Sequence, residues 1–561
     1  MRDDAERPWL SAYGPDVPAD IEPPRHNLPE VLDEAVRRFG DRPALEFFGS
    51  VTTYRHLSDL VERGAQVLHR LGVRKGDRVA LVLPNCPQHV VAFYSALRVG
   101  AVVIEHNPLY TPEELQVQFD DHKARVAVCW SNVASTVIDL GVETVFSVDL
   151  AAAMPWRSRL ALKLPLAKAR AGRAKLGPAV VPGTRSWDDE VRAATPLPGD
   201  IPGPEVSDIA LLQYTGGTTG TPKGAILTHA NLAANAAQGR AWMPALRDGE
   251  ETVLAALPIF HAYGLTFCLT FAVLLGAQVV LLPRFDVDQA LDVIRRIRPT
   301  FLPGVPPIYQ RLAAGARERG IDLTCVRFGF SGAMSLPPDV VSEWEELSGG
   351  LLIEGYGLSE ASPVALGNPG STGRRAGTVG VPFPSTRMRV VDPEHPDHDV
   401  PAGSPGELLV AGPQVFSGYW GRPEETAATL LPGGWLRTGD VVVVDDDGYV
   451  RIVDRIKELV ITGGFNVYPS EVEEILRKHP DIKDVSVVGI PRSDGGEEVV
   501  AAVMVHEGVT IDAQELRRFC RSHLAGYKVP VRMVQVDDLP RTIIGKVLRR
   551  ELVKILTEDG R

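Results

Sequence analysis

Residues Tyr214–Gly224 have the sequence YTGGTTGTPKG, and this stretch decides how the rest of the chain is interpreted. It follows the β-like run Ile209–Gln213, so it begins where a strand is expected to end. Its glycines allow a ligand to approach the backbone closely, while backbone N–H groups, threonine hydroxyls and one lysine suit a polyphosphate. The Walker A register is absent. The alternative, a plain Gly/Thr turn, is disfavoured by the density of glycines and hydroxyls.

The stretch therefore predicts a phosphate loop at the end of a strand. The residues expected to contact phosphate are Thr215, Gly216, Gly217, Thr218, Thr219, Gly220, Thr221 and Lys223.

On both sides of this loop, short β-like runs alternate with stretches of helical periodicity. This alternation predicts a layered α/β structure. The runs predicted as strands are Arg78–Leu83, Ala101–Glu105, Arg125–Val128, Ile209–Gln213 and Val279–Leu282, with helices at Leu28–Phe39 and Val90–Leu97. The apolar stretch Leu265–Leu282 contains Gly276, so a buried helix, a turn and a short strand are predicted there rather than a membrane span.

The sequence pattern changes twice toward the C-terminus. From about Thr378 to Val453 the turn signals predict β-hairpins. The last hundred or so residues predict a separate α+β unit, with helices at Glu471–Lys478 and Ala513–His523 and strands at Val485–Ile490 and Val499–Val505. The predicted fold is thus α/β: a large N-terminal domain with a β-rich subdomain, residues 1–454, and a small mobile α+β domain, residues 455–561.

Bulk composition limits the class of protein. A chain of 561 residues exceeds one compact core, and a net charge of -12 argues against nucleic acid as the main partner. The five cysteines are spread out without a CxxC pair, which favours reduced thiols over disulfides or zinc. The N-terminus lacks an apolar signal-peptide core. A cytoplasmic protein is therefore expected.

One segment differs from the rest in composition. Arg157 to Lys175 carries seven basic residues, no acidic residue and several leucines, and Trp156 precedes it. A basic amphipathic segment that touches anionic lipid is one interpretation, which would place the protein peripherally at the inner face of a membrane. A solvated surface excursion is the other, and Pro165 interrupts any continuous helix. The sequence leaves both open.

Further segments agree with the phosphate loop in order and spacing. They are PIFHAYGL (258–265), GYGLSE (355–360), WLRTGD (435–440), VDRIKEL (453–459) and PRTIIGKVLRR (540–550). Together with the loop they resemble the adenylate-forming superfamily of acyl-CoA synthetases, luciferases and peptide-synthetase adenylation domains. Three further stretches, IEGYGLSEASPVALGNP, GPQVFSGYWGRPEET and RIVDRIKELVITGGFNVYPSEVE, are similar to bacterial long-chain fatty acid CoA ligases.

This resemblance implies an activity and the residues that carry it. A carboxylic acid would be joined to AMP with loss of pyrophosphate, and the acyl group would then pass to coenzyme A. Lys546 would stabilise charge in the first step, although Ile544-Gly545-Lys546 departs from the usual Ser-Gly-Lys. Glu360, with Thr215, would hold Mg²⁺ on the phosphates. ATP and CoA are the implied co-substrates.

The resemblance also implies the nucleotide pocket and the moving parts. Besides the phosphate loop and Lys546, the residues implied around the nucleotide are Ala333, Glu354, Gly355, Tyr356, Gly357, Ser359, Asp440 and Arg455. Asp440 would accept the ribose hydroxyls, and Tyr356 would offer a face to adenine. Lys457 corresponds to the hinge, and Gly463 and Gly464 would line the CoA channel.

The acid itself is less constrained. The residues implied at the acyl pocket are His261, Tyr263, Gly264, Gly304 and Gly332. The resemblance also gives His261 a catalytic role near the substrate carboxylate, although a satisfied core histidine is the alternative. The run from Leu257 to Leu282 contains no acidic residue that could pair with an amino acid's ammonium group. Medium- to long-chain fatty acids are the expected substrates. An acyl-AMP ligase that loads a carrier protein, a CoA ligase for aryl or dicarboxylic acids, and a luciferase-type oxidase remain alternatives. A homodimer is left open.

Overall fold

The computed structural model describes residues 7–177, 181–215, 222–371, 373–462, 465–492, 497–542 and 545–558. Within these ranges the N-terminal part contains two large, mostly parallel sheets. Seven strands form the first sheet, and across it they run in the order Arg185–Ser186, Thr144–Val148, Val126–Trp130, Arg78–Val82, Val102–Glu105, Ile209–Thr215 and Lys223–Thr228. Only the last strand is antiparallel to its neighbour, because the phosphate loop turns the chain back on itself.

The second sheet contains nine strands among the described residues. Across it they run in the order Val381–Pro382, Val364–Gly367, Leu351–Gly357, Phe328–Ser331, Phe301–Gly304, Thr252–Ala255, Gln278–Leu281, Pro43–Phe47 and Ser50–Thr53. The six central strands are parallel, so their carboxyl ends meet at one edge. These strands are buried along nearly their whole length, as expected for a parallel sheet covered on both faces.

Smaller sheets follow toward the C-terminus. An antiparallel sheet contains the strands Arg387–Val391, Gly406–Ala411, Leu430–Leu431, Trp435–Val444 and Val450–Arg455. The last unit contains a hairpin, Val460–Thr462 with Phe465–Val467, and a sheet of Ile482–Pro491, Glu497–Val505 and Arg532–Gln535. Residues from Val460 onward build hydrophobic clusters separate from the main core, which ends at Val450.

Helices cover the sheets. Those of the N-terminal part are Leu28–Phe39, Tyr54–Arg70, Pro87–Arg98, Pro112–His122, Ala134–Asp139, Trp156–Leu162, Ala167–Leu176, Trp187–Ala193, His229–Trp242, Val287–Ile297, Pro306–Arg319, Pro338–Ser348 and Pro423–Thr429, with a continuous helical run from Ala262 to Leu275. The C-terminal helices are Pro469–Arg477, Ala513–Arg521 and Arg549–Glu558. Two of them, the helices capped by Asn27 and Thr111, combine a side-chain cap with a proline in the first two positions.

The predicted α/β class is confirmed, and most predicted elements lie within a few residues of their expected bounds. The apolar stretch after Leu265 does fold as a buried helix, a left-handed turn at Gly276 with φ of +65°, and the strand Gln278–Leu281. The helix Pro423–Thr429 interrupts the region predicted as hairpins alone. The division at residue 454 stays a prediction.

The basic segment forms two short helices, Trp156–Leu162 and Ala167–Leu176, which are separated at Pro165. Its ends are held: Pro155 lies beside Gly49, and the Trp130 indole donates a hydrogen bond to the Leu176 carbonyl at 2.8 Å. Between these anchors the large apolar side chains face solvent. None of the described helices is both long and apolar enough to cross a membrane.

Candidate active site

The two flanks of the phosphate loop are fixed by the first sheet. Tyr214 pairs with Gly224, and Thr215 with Lys223, across the last two strands. The Tyr214 hydroxyl donates to Asp121 at 2.7 Å, which ties the start of the loop to the helix Pro112–His122. Gly216 to Thr221, predicted to contact phosphate, lie outside the described residues. Their ends, however, are held at a defined position.

The second sheet brings three predicted segments together at its carboxyl edge. Gly304 pairs with Ser331, and Ser331 with Glu354, across parallel strands. The residues just beyond these pairs are Gly332, Ala333 and Gly355, so the predicted adenine and acyl segments are neighbours because of strand register alone. Ala333 has φ of +66°, a left-handed backbone that a residue with a Cβ seldom adopts. Such strain is typical of functional loops.

Glu354 is buried, and burial raises the pKa of its carboxyl group to about 8. One oxygen accepts a hydrogen bond from the Leu336 N–H at 3.1 Å. Gly355 follows and packs directly under the Phe330 ring, where a Cβ would lie 2.3 Å from the nearest ring carbon. Gly357 is similarly close to the Pro363 carbonyl, and Ser359 begins the short 3-10 turn Ser359–Ala361. This part of the nucleotide segment is tightly packed.

Asp440 is a buried carboxylate whose two oxygens both have protein partners. Its carboxylate accepts a hydrogen bond from the Tyr356 hydroxyl through one oxygen and pairs with the Arg455 guanidinium through the other, at 2.8 Å. Asp440 and Arg455 are register partners in adjacent strands. The Asp440 carboxylate raises the pKa of Arg455, and burial raises that of the Tyr356 hydroxyl. Three residues predicted around the nucleotide are therefore joined directly.

The C-terminal unit carries Lys546 to the same place. Burial lowers the pKa of the Lys546 ammonium group, and the positive charge of Arg455 lowers it further. The loop that bears it is closed by Thr542, whose hydroxyl accepts from the Lys546 N–H at 3.1 Å and whose N–H donates to the Lys546 carbonyl at 2.8 Å. Gly545 contacts Met334, one residue beyond Ala333: a Cβ there would lie 3.0 Å from Sδ.

An ion-pair cluster at the base of the C-terminal unit was not predicted from the sequence. Arg549 pairs with Glu458 and, at 2.7 Å, with Glu473, and it lies 4.0 Å from Asp454. Asp454 also accepts from the Ser470 N–H at 2.9 Å. Lys457 lies in the 3-10 turn Ile456–Glu458 between these contacts. Its predicted hinge position is thus bracketed by residues that Arg549 joins; Gly463 and Gly464 lie outside the described residues.

Glu360 and Thr215 suit Mg²⁺ as a donor set, since both offer the hard oxygen atoms that this ion prefers while leaving positions for phosphate and water. The described residues contain no group of three or more histidine, cysteine or acidic side chains placed to hold a metal by themselves. Glu360 Oε1 accepts a hydrogen bond from the Tyr419 hydroxyl at 2.7 Å. Tyr419 is a residue that motif reasoning missed, because it lies 59 positions from its partner.

The predicted acyl residues meet in a dense aromatic cluster. Tyr263 donates to the Phe330 carbonyl and lies against Gly332, and the Tyr309 ring lies against Gly304. Phe267 and Phe330 stack with ring centroids 4.7 Å apart. Gly264 approaches the Pro258 carbonyl too closely for a side chain. Gly304 and Gly332 thus make room for tyrosine rings, and Gly264 for a close backbone contact.

His261 lies at the start of the helical run that contains Tyr263. Its Nδ1 accepts a hydrogen bond from the Tyr263 N–H at 3.4 Å, and burial lowers the pKa of its imidazole to about 4. At neutral pH the ring is therefore uncharged, and because Nδ1 is the acceptor, the proton is on Nε2. The nearby Gln213 amide donates to the Phe260 carbonyl at 3.2 Å, which joins this turn to the phosphate loop.

The predicted nucleotide residues Tyr356, Asp440 and Arg455 thus lie together, with Lys546 close by, as expected for a nucleotide-dependent enzyme. Family comparison agrees: the AMP-binding enzyme model matches residues 32–420, and the AMP-binding enzyme C-terminal domain matches residues 471–546. The chain belongs to the AMP-binding enzyme family, as the motifs predict.

Named relatives cover almost the whole chain. A long-chain-fatty-acid–CoA ligase of Bacillus subtilis (strain 168) is 38% identical over 561 residues, covering 99% of this chain and 99% of that protein. A feruloyl-CoA synthase of an Amycolatopsis species is 36% identical, covering 91% and 95%. Among solved structures, ATP-bound MatB from Rhodopseudomonas palustris is 31% identical with a TM-score of 0.82, covering 96% of this chain and 100% of that one.

Proposed function

We propose that this protein is an ATP-dependent acyl-CoA synthetase that activates medium- to long-chain fatty acids. The observation that supports the proposal is that the Lys546 ammonium group lies close enough to the Asp440–Arg455 pair to feel both charges, and the family resemblance assigns all three residues to the nucleotide. The names of the full-length relatives support a fatty acid as the substrate class.

The first half-reaction follows from the residues in place. A carboxylate oxygen of the acid attacks the α-phosphorus of ATP, the bond to the β-phosphate breaks, and pyrophosphate leaves with the bonding electrons. Lys546, held by the Thr542 loop, balances the charge that accumulates on the phosphates. Asp440 holds the ribose, and Lys223 and the loop residues hold the phosphates. Bound Mg²⁺, held by Glu360 and Thr215, would supply further charge neutralisation.

In the second half-reaction the thiol of CoA loses its proton and attacks the acyl carbon, and the bond to AMP breaks. Lys546 and the pantetheine chain need the same space, so we propose that residues 455–561 form a domain that turns about Lys457 between the steps. Arg549 joins residues on both sides of Lys457 and would have to exchange partners during the turn. Gly463 and Gly464 would line the thiol channel.

The substrate assay tests the reaction and its alternatives together. Purified protein is given Mg-ATP and acids from acetate to oleate, with and without CoA, and AMP and acyl-CoA are measured. Acyl-CoA formation fastest with fatty acids of about eight to eighteen carbons is expected. Pyrophosphate release that ignores CoA would indicate an acyl-AMP ligase instead, and activity limited to aryl or dicarboxylic acids would leave the mechanism but refute the substrate. The feruloyl-CoA synthase relative supports including aryl acids.

We further propose that the segment 156–175 contacts an anionic membrane surface peripherally, from which fatty acids would be collected. Trp156, Leu160, Leu164 and Leu166 are 68%, 59%, 47% and 58% exposed. They alternate with basic residues such as Arg157 and Arg159, and no acidic residue occurs between Trp156 and Leu176. Exposed apolar side chains among positive charges fit lipid headgroups and the first carbons of their chains.

Vesicle co-sedimentation tests this contact. Binding to vesicles rich in phosphatidylglycerol, and weaker binding to pure phosphatidylcholine, is expected. The double substitution Trp156→Ser and Leu160→Ser should lower binding severalfold, while the control Leu109→Ser, which removes a 66% exposed leucine elsewhere, should not. Equal binding by the double variant would refute the contact. A separate light-scattering measurement on the purified protein without vesicles gives its molar mass and decides whether it is a homodimer.

A further inference from the structure

Tyr419 contacts two residues of the phosphate site at once. Its hydroxyl donates to Glu360 Oε1 at 2.7 Å, and the Lys223 ammonium lies 5.4 Å from the centre of its ring. A single side chain therefore connects the carboxylate suited to Mg²⁺ with the lysine at the end of the phosphate loop.

The backbone holds Tyr419 in this position from both sides. Ala225 and Tyr419 form an antiparallel bridge, and the Trp420 N–H donates to the Gly224 carbonyl at 2.8 Å. The Tyr419 N–H donates to the Thr426 hydroxyl at 2.9 Å, which fixes it to the helix Pro423–Thr429. The backbone of Tyr419 is thus bonded to the strand that follows the phosphate loop, and its hydroxyl is bonded to Glu360. Tyr419 therefore links that strand to Glu360.

In an ATP site, the hydrogen bond from Tyr419 would restrict the conformations of the Glu360 side chain. A carboxylate with one oxygen bonded to a fixed hydroxyl loses rotamer freedom, while its other oxygen stays available as a ligand. The Lys223 ammonium lies over the face of the same ring and 4.0 Å from the Glu425 carboxylate. Without the tyrosine hydroxyl, the Glu360 carboxylate would be free to take other rotamers.

We propose that Tyr419 is a positioning residue that orients the Glu360 carboxylate toward the metal-bound phosphates of ATP. This inference rests on the proposed function for the identity of the ligand. It predicts that Tyr419 acts through Glu360, and that its loss weakens nucleotide binding only when a divalent ion is present.

The test is calorimetric binding of an ATP analogue with a methylene bridge between the α- and β-phosphates, with Mg²⁺ or with EDTA. Tyr419→Phe keeps the ring and removes the hydroxyl, and should weaken binding about tenfold with Mg²⁺ and less than twofold with EDTA. Tyr13→Phe is the matched control, because it removes a partly buried hydroxyl that donates to the Pro382 carbonyl and contacts neither Glu360 nor Lys223. The control should bind like the original protein.

A double-mutant cycle decides whether Tyr419 acts through Glu360. In the Glu360→Gln background, Tyr419→Phe should change the Mg²⁺-dependent affinity by less than twofold. A tenfold loss in that background, or no loss in the original background, would overturn the inference. Thr426→Val, which removes the acceptor of the Tyr419 N–H, is an independent perturbation expected to weaken Mg²⁺-dependent binding about threefold. Unchanged Mg²⁺-dependent binding in this variant would also count against the inference.

The binding readout separates this inference from the proposed function. A protein that binds the analogue with Mg²⁺ but forms no acyl-CoA from any acid would contradict the proposed function. The Tyr419 cycle would still be decided by binding alone.

Discussion

The pH dependence of stability tests how strongly Glu354 is shielded from water at the carboxyl edge of the second sheet. Its carboxyl group is 7% exposed, and burial raises its pKa from 4.5 to about 8. The folded chain therefore keeps a proton that the unfolded chain releases above pH 4.5, so stability falls as pH rises through this window and levels off above pH 8. At about 1.4 kcal/mol for each pH unit, the loss between pH 5 and pH 8 is about 3 to 4 kcal/mol.

Glu354→Gln removes this titration while keeping an oxygen that can accept from the Leu336 N–H. We expect the melting temperature of the variant, relative to the original protein, to rise by about 4 °C between pH 5 and pH 8, given the unfolding entropy of a unit this large. Scanning calorimetry at matched scan rates measures the difference. Glu346→Gln, at an exposed side chain, is the control. A constant difference across the pH range would refute the reasoning.

Three further predictions concern the two half-reactions and the packing of the site. Lys546→Ala should slow acyl-adenylate formation at least about 100-fold, yet leave CoA transfer from synthetic acyl-AMP within about threefold, in rapid-quench assays; equal losses would contradict its assigned step. Thr542→Val, which opens the lysine loop, should slow only the first step, by about tenfold, in the same assays. Gly355→Ala should cost about 1 to 3 kcal/mol of stability by thermal melting, since its Cβ meets the Phe330 ring, whereas the open position Gly199→Ala should be neutral.

Much of the fold was accessible from local pattern. The helix, turn and strand after Leu265 could be predicted because Gly276 interrupts an apolar run, and the break in the basic segment because Pro165 cannot continue a helix. The helix Pro423–Thr429 was missed, since a short helix among turn signals leaves little periodicity to detect.

In the candidate site, too, local features could be predicted from the sequence and long-range contacts could not. Residues within a motif, such as Asp440 and Lys546, could be assigned by resemblance, and their roles remain predictions. The contacts between motifs could not be assigned, because they depend on how separate strands align. Tyr356 meets Asp440 across 84 positions, and Arg549 meets Glu473 across 76. Long-range pairs of this kind leave no trace in spacing or composition.

The occupied carboxylate of Asp440 changes what an affinity for ATP means in this protein. Each of its oxygens already has a protein donor, Tyr356 on one side and Arg455 on the other. Each carboxylate oxygen can accept a second hydrogen bond, so in the proposed ribose site the sugar hydroxyls would either join these donors or replace them. Tyr356→Phe, which removes one donor, separates the two cases: tighter ATP binding is expected if the sugar replaces the tyrosine hydroxyl, and no tightening if it joins it.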